Sequence, residues 1–223
     1  MYTEWMKYRP ASEGFSAPPC SIGFMDTKHD DPILNPLMTR IQRGDQTACT
    51  DLYDLYAPGV YRLAYSVLLH RQDAEDVVQE VFVYVFRNLK LYDPNRGQFR
   101  TWLYTITISR CRNARRRKML PTVALSDLLL LGLEPHGPES ENPEAASLRE
   151  DANRVLGQAL KTLSSRLREA VALRYGQGLT YREMGEILNI PPKTAESRIR
   201  LAHEALRSAM QPNDIALLEE FLG

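Results

Sequence analysis

The stretch from Thr180 to Leu206 leaves a chain few ways to fold. Thr180-Tyr181-Arg182-Glu183 has the form of a capping box: the threonine closes a helix start and the glutamate three residues on returns a bond to the threonine amide. The helix this opens carries Met184, Ile187 and Leu188 on one side, and Gly185 sits where two helices of such a motif approach closely. Asn189 falls in the turn, where asparagine tolerates a left-handed backbone, and Pro191-Pro192 suits the entry to a second helix. In that helix Ala195, Ile199, Ala202 and Leu206 recur at four-, three- and four-residue steps and face a core. Lys193, Glu196, Ser197 and Arg200 lie roughly opposite, with Arg198 flanking them. Cap, small residue, turn and basic helix in register make a helix-turn-helix, whose second helix enters the major groove of duplex DNA.

The rest of the chain is also helical in pattern, with no credible strand and no internal repeat. After Gly44-Asp45, apolar Ala48, Leu52, Leu55 and Tyr56 recur at helical spacing, and Val60, Leu63, Ala64 and Val67 continue the row. Asp73 reads as the cap of a long helix in which Val77, Val81 and Val85 form one apolar row and Val78, Phe82 and Phe86 the next. Glu75, Gln79, Glu80 and Val83 then face outward. Tyr92 through Gly97 is a turn-rich loop, and a further helix over Phe99 to Lys118 has Trp102, Leu103, Ile106 and Ser109 or Arg110 as its expected core face. Asp31-Pro32 looks like the cap and first turn of the helix that opens this half. In the second half, Val155, Leu156, Ala159, Leu160 and Leu163 predict one amphipathic helix. Leu167, Ala170, Val171 and Leu173 predict another, starting near Ser164 or Ser165 and ending at Gly176.

These patterns predict an all-α protein of two small helical domains, the second a helix-turn-helix domain. The boundaries are an N-terminal extension over 1–32, rich in Pro, Gly and Ser and expected to be disordered; a first domain over 33–118; a flexible acidic linker over 119–149; a second domain over 150–210; and a C-terminal tail over 211–223. Pro121, Pro135, Pro138 and Pro143 break any long helix in the linker.

The formal net charge is zero, which would argue against a nucleic-acid binder if the charges were mixed. They are not. Ten basic residues stand between Arg87 and Lys118 against Asp93 alone, whereas seven acids stand against Arg149 between Pro121 and Asn153. Polarised blocks suit one face for phosphates and another for a different partner. Cys20, Cys49 and Cys111 are widely spaced and odd in number, and the histidines are scattered, so neither a disulfide framework nor a metal site is expected, and no cofactor. Cys20 and Cys49 admit a thiol-sensing idea that nothing in the sequence raises above ordinary structural cysteines. The absence of a membrane-length apolar run or a secretory leader reads as cytoplasmic. Asp73, Glu75, Asp76 and Glu80 are close in sequence but spread around a helix without a His or Lys partner nearby, which argues against an enzyme.

Two sets of residues together resemble the extracytoplasmic-function group of sigma-70-type sigma factors. The first is Arg43-Gly44-Asp45, Leu52-Tyr53, Tyr56, the run from Asp73 to Phe82, the run from Phe99 to Leu103, and the basic stretch to Lys118. The second is Leu173-Arg174-Tyr175 and the helix-turn-helix through Thr194 to Arg198. The resemblance implies a transcription initiation factor without catalytic chemistry of its own. Its partners would be core RNA polymerase, promoter DNA and an anti-sigma factor that holds it inactive. Asp76, Gln79, Glu80 and Val83 would contact the polymerase. Tyr92, Asn95, Arg96, Arg100, Ser109, Arg112, Asn113, Arg116 and Arg117 would serve minus-10 recognition and melting, with the loop holding an unstacked base. Arg182, Lys193, Thr194, Glu196, Ser197, Arg198 and Arg200 would read the minus-35 duplex. Family members usually carry asparagine at Ser109, aspartate at Asn113, and frequently lysine at Glu196 and arginine at Leu201, so base preference and melting differ here from the common pattern. The alternative is an autonomous helix-turn-helix regulator of operator DNA, with the first domain as a sensor or dimerisation unit.

Overall fold

The computed structural model describes residues 33–119 and 155–209. Among the described residues all regular structure is helical: α1 (Leu34–Gln42), α2 (Gln46–Leu68), α3 (Arg71–Asn88), a 3-10 turn (Leu89–Leu91), α4 (Phe99–Met119), α5 (155–162), α6 (Ser165–Val171) running into a π-helical turn (Ala172–Gly176), α7 (Tyr181–Leu188) and α8 (Pro192–Ala209). The expected cap at Asp31-Pro32, the N-terminal extension, nearly all of the linker and the C-terminal tail lie outside these residues.

Local chemistry sets three of the helix starts. Asp45 opens α2 by accepting from the amides of Thr47 (2.9 Å) and Ala48 (3.3 Å), after a turn at Gly44 whose φ of 87° suits glycine. Thr180 and Glu183 form the reciprocal capping box of α7, and Asn189 ends that helix with φ 54° and ψ 55°. The start of α3 differs from expectation. The helix begins at Arg71, and the imidazole of His70 is the cap, its Nδ1 accepting from the amide of Asp73 (3.3 Å). Asp73 therefore stands in the first turn, where its carboxylate complements the helix dipole.

The first half is a four-helix unit. Leu34, Leu37 and Ile41 of α1 close onto α2, and the two valine-phenylalanine rows of α3 face inward, with Phe86 half-buried at their end. Two expected core positions are solvent-facing: Leu55 is 37% exposed and Leu156 of α5 is 43% exposed. Helix α4 is rotated relative to expectation. Its buried face is Phe99, Leu103, Tyr104, Thr107, Ile108 and Cys111, whereas Trp102, Ile106 and Arg110 are half-buried and Ser109 is exposed. The reason is that α4 packs against α2 and α3 on one side and against α7 on the other. A periodicity argument that assumes one buried face selects the wrong one.

The second half folds α6, the π turn and α7 onto α2 and α4, so that the apolar core runs without a break from Leu52, Val60 and Leu103 to Leu173, Leu179, Met184 and Ile199. A satellite cluster joins Leu160, Leu163 and Ala202 to Leu167 and Leu206, and Leu69 packs against it from the end of α2. Leu69 has φ 55°, a left-handed conformation that costs a non-glycine residue about 1–2 kcal/mol. Its side chain is thus held where it bridges the two halves.

Within the helix-turn-helix, a Cβ on Gly185 would lie 2.7 Å from the carbonyl oxygen of Ile190 and 3.4 Å from the nitrogen of Pro192. The glycine makes room for the turn and the first residue of α8 rather than for a helix crossing. Both obstacles are backbone, so Gly185→Ala is expected to destabilise the protein by about 2 kcal/mol. Gly157 in α5 has open space around its Cβ position, and Gly157→Ala is expected to add about 0.5–1 kcal/mol. Urea unfolding of both variants checks the opposite signs.

Candidate nucleic-acid and docking surfaces

The outward row of α3 lies beside the C-terminal half of α4, and the two helices leave an open groove between them. Asp76, Gln79, Glu80 and Val83 all line it, together with Tyr84, Arg110, Arg117 and Lys118. Asp76 and Gln79 are exposed, while Glu80 and Val83 are half-buried. The groove is bipolar: acids on α3 face bases on α4. Arg117 bonds Glu80 at 2.8 Å and Lys118 reaches Asp73 at 2.7 Å. The carboxylate of Glu80 raises the pKa of the Arg117 guanidinium, keeping it charged. Pairs this exposed contribute about 0–1 kcal/mol each and exchange readily for an outside partner.

The loop between the 3-10 turn and α4 is anchored by rings. Tyr92 packs edge-on against Phe99 (5.2 Å between centroids) and tilted against Trp102 (5.7 Å), and Phe99 meets Trp102 at 5.6 Å. Trp102 is thus part of a packed cluster, as its spacing suggests. Asp93 receives bonds from the amide and side chain of Asn95 (2.9 and 3.1 Å), which shapes the loop, and Arg96 is exposed at its tip. Arg100 lies over the ring of Tyr104 at 5.9 Å.

The α4 residues singled out from the sequence divide among three faces. Ser109, Asn113 and Arg116 follow one strip, exposed or half-buried, where Asn113 accepts a bond from Arg116. Arg117 belongs to the α3–α4 groove. Arg112 turns to the second half of the molecule and grips Glu169 in a forked pair, at 2.7 Å from Nη2 and 3.2 Å from Nε, with Arg115 at 3.5 Å. Glu169 is 1% exposed. Sequence reasoning passed over it, as well as Tyr104 and Gln177, whose side chains meet at 2.6 Å across the same seam. The one available signal was that Glu169 shares a helical row with buried Leu173.

On the second half, Lys193, Thr194, Glu196 and Arg200 are exposed on the N-terminal part of α8, and Arg182 is exposed on α7 with Glu186 at 3.4 Å. Ser197 is half-buried and donates to the Lys193 carbonyl (2.9 Å). Arg198 is half-buried towards Glu169, Arg166 and Arg112, and burial lowers its pKa. It lies away from the surface formed by its neighbours. The thiol of Cys111 is buried and its pKa is pushed up to about 12, with Glu169 contributing, and burial also raises that of Cys49. Neither has the lowered pKa of a reactive thiol. Cys20 lies outside the described residues. Among the described residues, no group of three His, Cys, Asp or Glu is arranged to hold a metal, and no helix is long and apolar enough to cross a membrane.

Ring pairs of this kind are worth about 0.5–1.5 kcal/mol each beyond burial. Tyr92→Ala is therefore expected to destabilise the first half by about 2 kcal/mol and to speed amide exchange over residues 93–98 before any other segment, as read by hydrogen-exchange mass spectrometry.

Residues 52–120 match sigma-70 region 2, and residues 153–206 match sigma-70 region 4. The chain is 32% identical over 183 residues to the ECF RNA polymerase sigma factor SigW of Bacillus subtilis, covering 80% of this chain and 97% of that protein. It is 33% identical over 180 residues to the RNA polymerase sigma-H factor of Pseudomonas aeruginosa (79% and 93%), and 34% identical over 182 residues to the ECF RNA polymerase sigma-E factor of Escherichia coli (79% and 93%). Its fold is similar to that of CnrH solved with the cytosolic domain of CnrY, with a TM-score of 0.58 and 23% identity over 79% of this chain and 96% of that one. A sigma factor RpoE solved with the anti-sigma factor NepR from Bartonella quintana gives a TM-score of 0.51 and 22% identity over 71% of this chain and 94% of that one. With both regions matched in order on an all-helical fold, the chain belongs to the extracytoplasmic-function sigma factors of the sigma-70 family and is a transcription initiation factor rather than an enzyme.

Proposed function

We propose that this sigma factor acts in the cytoplasm, docks on core RNA polymerase through the α3 side of the α3–α4 groove, and presents two separate surfaces to promoter DNA. The observation that carries the docking assignment is the groove itself: Asp76, Gln79, Glu80 and Val83 lie together along it, with a half-buried apolar side chain among the polar ones. The minus-10 element would meet the Tyr92–Arg100 loop and the strip of Ser109, Asn113 and Arg116. Single-strand recognition suits an aromatic-anchored loop with an exposed guanidinium at its tip. Lys193, Thr194, Glu196 and Arg200, with Arg182 beside them, would enter the major groove at minus-35. The RpoE of similar fold was solved with the anti-sigma factor NepR, and an anti-sigma factor competing for the same groove fits this reading.

Run-off transcription with core polymerase tests it. Stimulated, promoter-specific transcripts are expected, and tight operator binding without polymerase together with no stimulation would favour the autonomous regulator instead. Asp76→Lys combined with Glu80→Lys is expected to weaken core binding at least tenfold while leaving the circular-dichroism spectrum unchanged. Unaltered affinity would refute the docking assignment. Arg200→Ala and Lys193→Ala are each expected to lower the salt dependence of promoter binding by about one unit of slope if they contact phosphate, or to relax one minus-35 position if they contact a base. Filter binding across a salt series separates the two.

A further inference from the structure

Helices α7 and α8 carry four acids, and three of them are engaged within the protein. Glu183 completes the capping box of α7, its carboxylate 2.7 Å from the amide of Thr180. Glu186 pairs with Arg182 at 3.4 Å and Glu204 with Arg200 at 2.8 Å, each across one helical turn. Glu196 is the fourth. It is exposed on the N-terminal part of α8, and among the described residues it makes no hydrogen bond or ion pair. Two cations are in range along the helix, Lys193 three positions before it and Arg200 four positions after it, and it pairs with neither.

At 3.6 residues per turn, Lys193, Glu196 and Arg200 fall within about 60° of one another around the axis, so all three look out from one face. Other polar groups nearby are committed. The Ser197 hydroxyl donates to the Lys193 carbonyl at 2.9 Å, and Arg198 is half-buried towards Glu169. The face assigned above to the minus-35 duplex therefore presents one acceptor-only group between two cations.

A carboxylate brought against DNA is repelled by the phosphates, so it weakens binding on all sequences alike unless it meets a donor. The major groove offers such donors on two bases, the N4 amino group of cytosine and the N6 amino group of adenine. Adenine sets the acceptor N7 beside N6. An ionised carboxylate has no proton to give, so its second oxygen would face that lone pair. Guanine shows N7 and O6, and thymine shows O4 and a methyl group, none of them a donor. Cytosine alone answers a carboxylate without also opposing it.

We propose that Glu196 is a specificity-determining residue, which accepts a hydrogen bond from the N4 amino group of one cytosine in the minus-35 element and repels the other three bases there. Lys193 and Arg200, about 4.5 and 6 Å away along the axis, offset its charge against the neighbouring phosphates. The inference rests on the assignment of α8 to the minus-35 duplex.

Duplexes randomised across both promoter elements, selected by the full-length chain bound to core polymerase and then sequenced, test it. The parent chain is expected to enrich cytosine at one minus-35 position by at least about fivefold over each other base. Glu196→Gln gains a donor and can bridge N6 and N7, so it is expected to move that preference to adenine on the same strand and to leave the other positions as they were. Glu196→Ala is expected to lose the preference at that position. In filter binding it holds the cytosine promoter more weakly and promoters altered at that position more tightly, because the repulsion is gone. Glu196 has no partner on the protein, so neither variant removes a contact from the fold. A merely solvated glutamate gives a different pattern: both variants bind every sequence more tightly by one common factor, with base preferences unchanged, and that result overturns the proposal. A minus-35 consensus built of A:T pairs alone also overturns it. Preferences that change in Lys193→Ala and Arg200→Ala but ignore Glu196 refute the proposal and leave the α8 assignment standing. A parent chain that enriches no minus-35 sequence refutes the assignment, and the proposal falls with it.

Discussion

Helix α4 must satisfy three neighbours with one run of side chains, and this constraint shapes the molecule. Its inner face, from Phe99 through Cys111, completes the core with α2 and α3. Its second face offers Arg112 and Arg115 to Glu169. Its third offers Arg117 and Lys118 to the acidic row of α3. The strip of Thr105, Ser109, Asn113 and Arg116 faces solvent. A helix with so many obligations cannot be strongly amphipathic in the ordinary sense, and its basic charge is shared among three faces.

That sharing explains where the sequence was legible. Features that depend on a few neighbouring residues were readable: the capping box at Thr180 and the left-handed turn at Asn189 follow from backbone geometry within one turn, whereas Gly185 was legible as a tight spot but not as one made by the turn itself. The valine and phenylalanine rows of α3 were readable because that helix has one principal buried side. The start of α3 was displaced because an imidazole can cap as a carboxylate does, and Asp73 is the more familiar candidate. Leu55 and Leu156 fit a helical period yet face solvent, because period alone does not say how wide the buried stripe is. Glu169 was the residue hardest to foresee: its partner Arg112 is 57 positions away, and a glutamate beside alanine on a short helix looks like a surface residue.

The family assignment did not need that knowledge, whereas the candidate sites do. The groove that gathers Asp76, Gln79, Glu80 and Val83 follows from helical spacing, so the sequence was a good guide to it. The minus-10 set was less well resolved, because spacing along α4 does not say which neighbour each face meets. Arg112 and Arg117 differ by five positions, and they are engaged by different helices. Arg198 shows the same effect on α8, lying two positions from exposed Glu196 and Arg200 in sequence and turning from them towards Glu169 in space.

The ion pairs fall into two energetic classes, and the difference bears on how such a protein could be switched. Glu80 with Arg117 and Lys118 with Asp73 sit at the rim of an open groove, where water competes with each partner and the net contribution is about 0–1 kcal/mol. A docking partner can replace them at little cost. Glu169 is buried while the guanidiniums that grip it stay half-exposed, and removing them would strand its carboxylate away from water. Separating the two halves strands nothing, since each side regains water or meets a phosphate, and the true cost of opening is then the apolar seam around Leu173, Leu179 and Met184 less that rehydration. A carboxylate in such a seam is costly to strand by substitution, yet the guanidiniums that hold it are already half open to water.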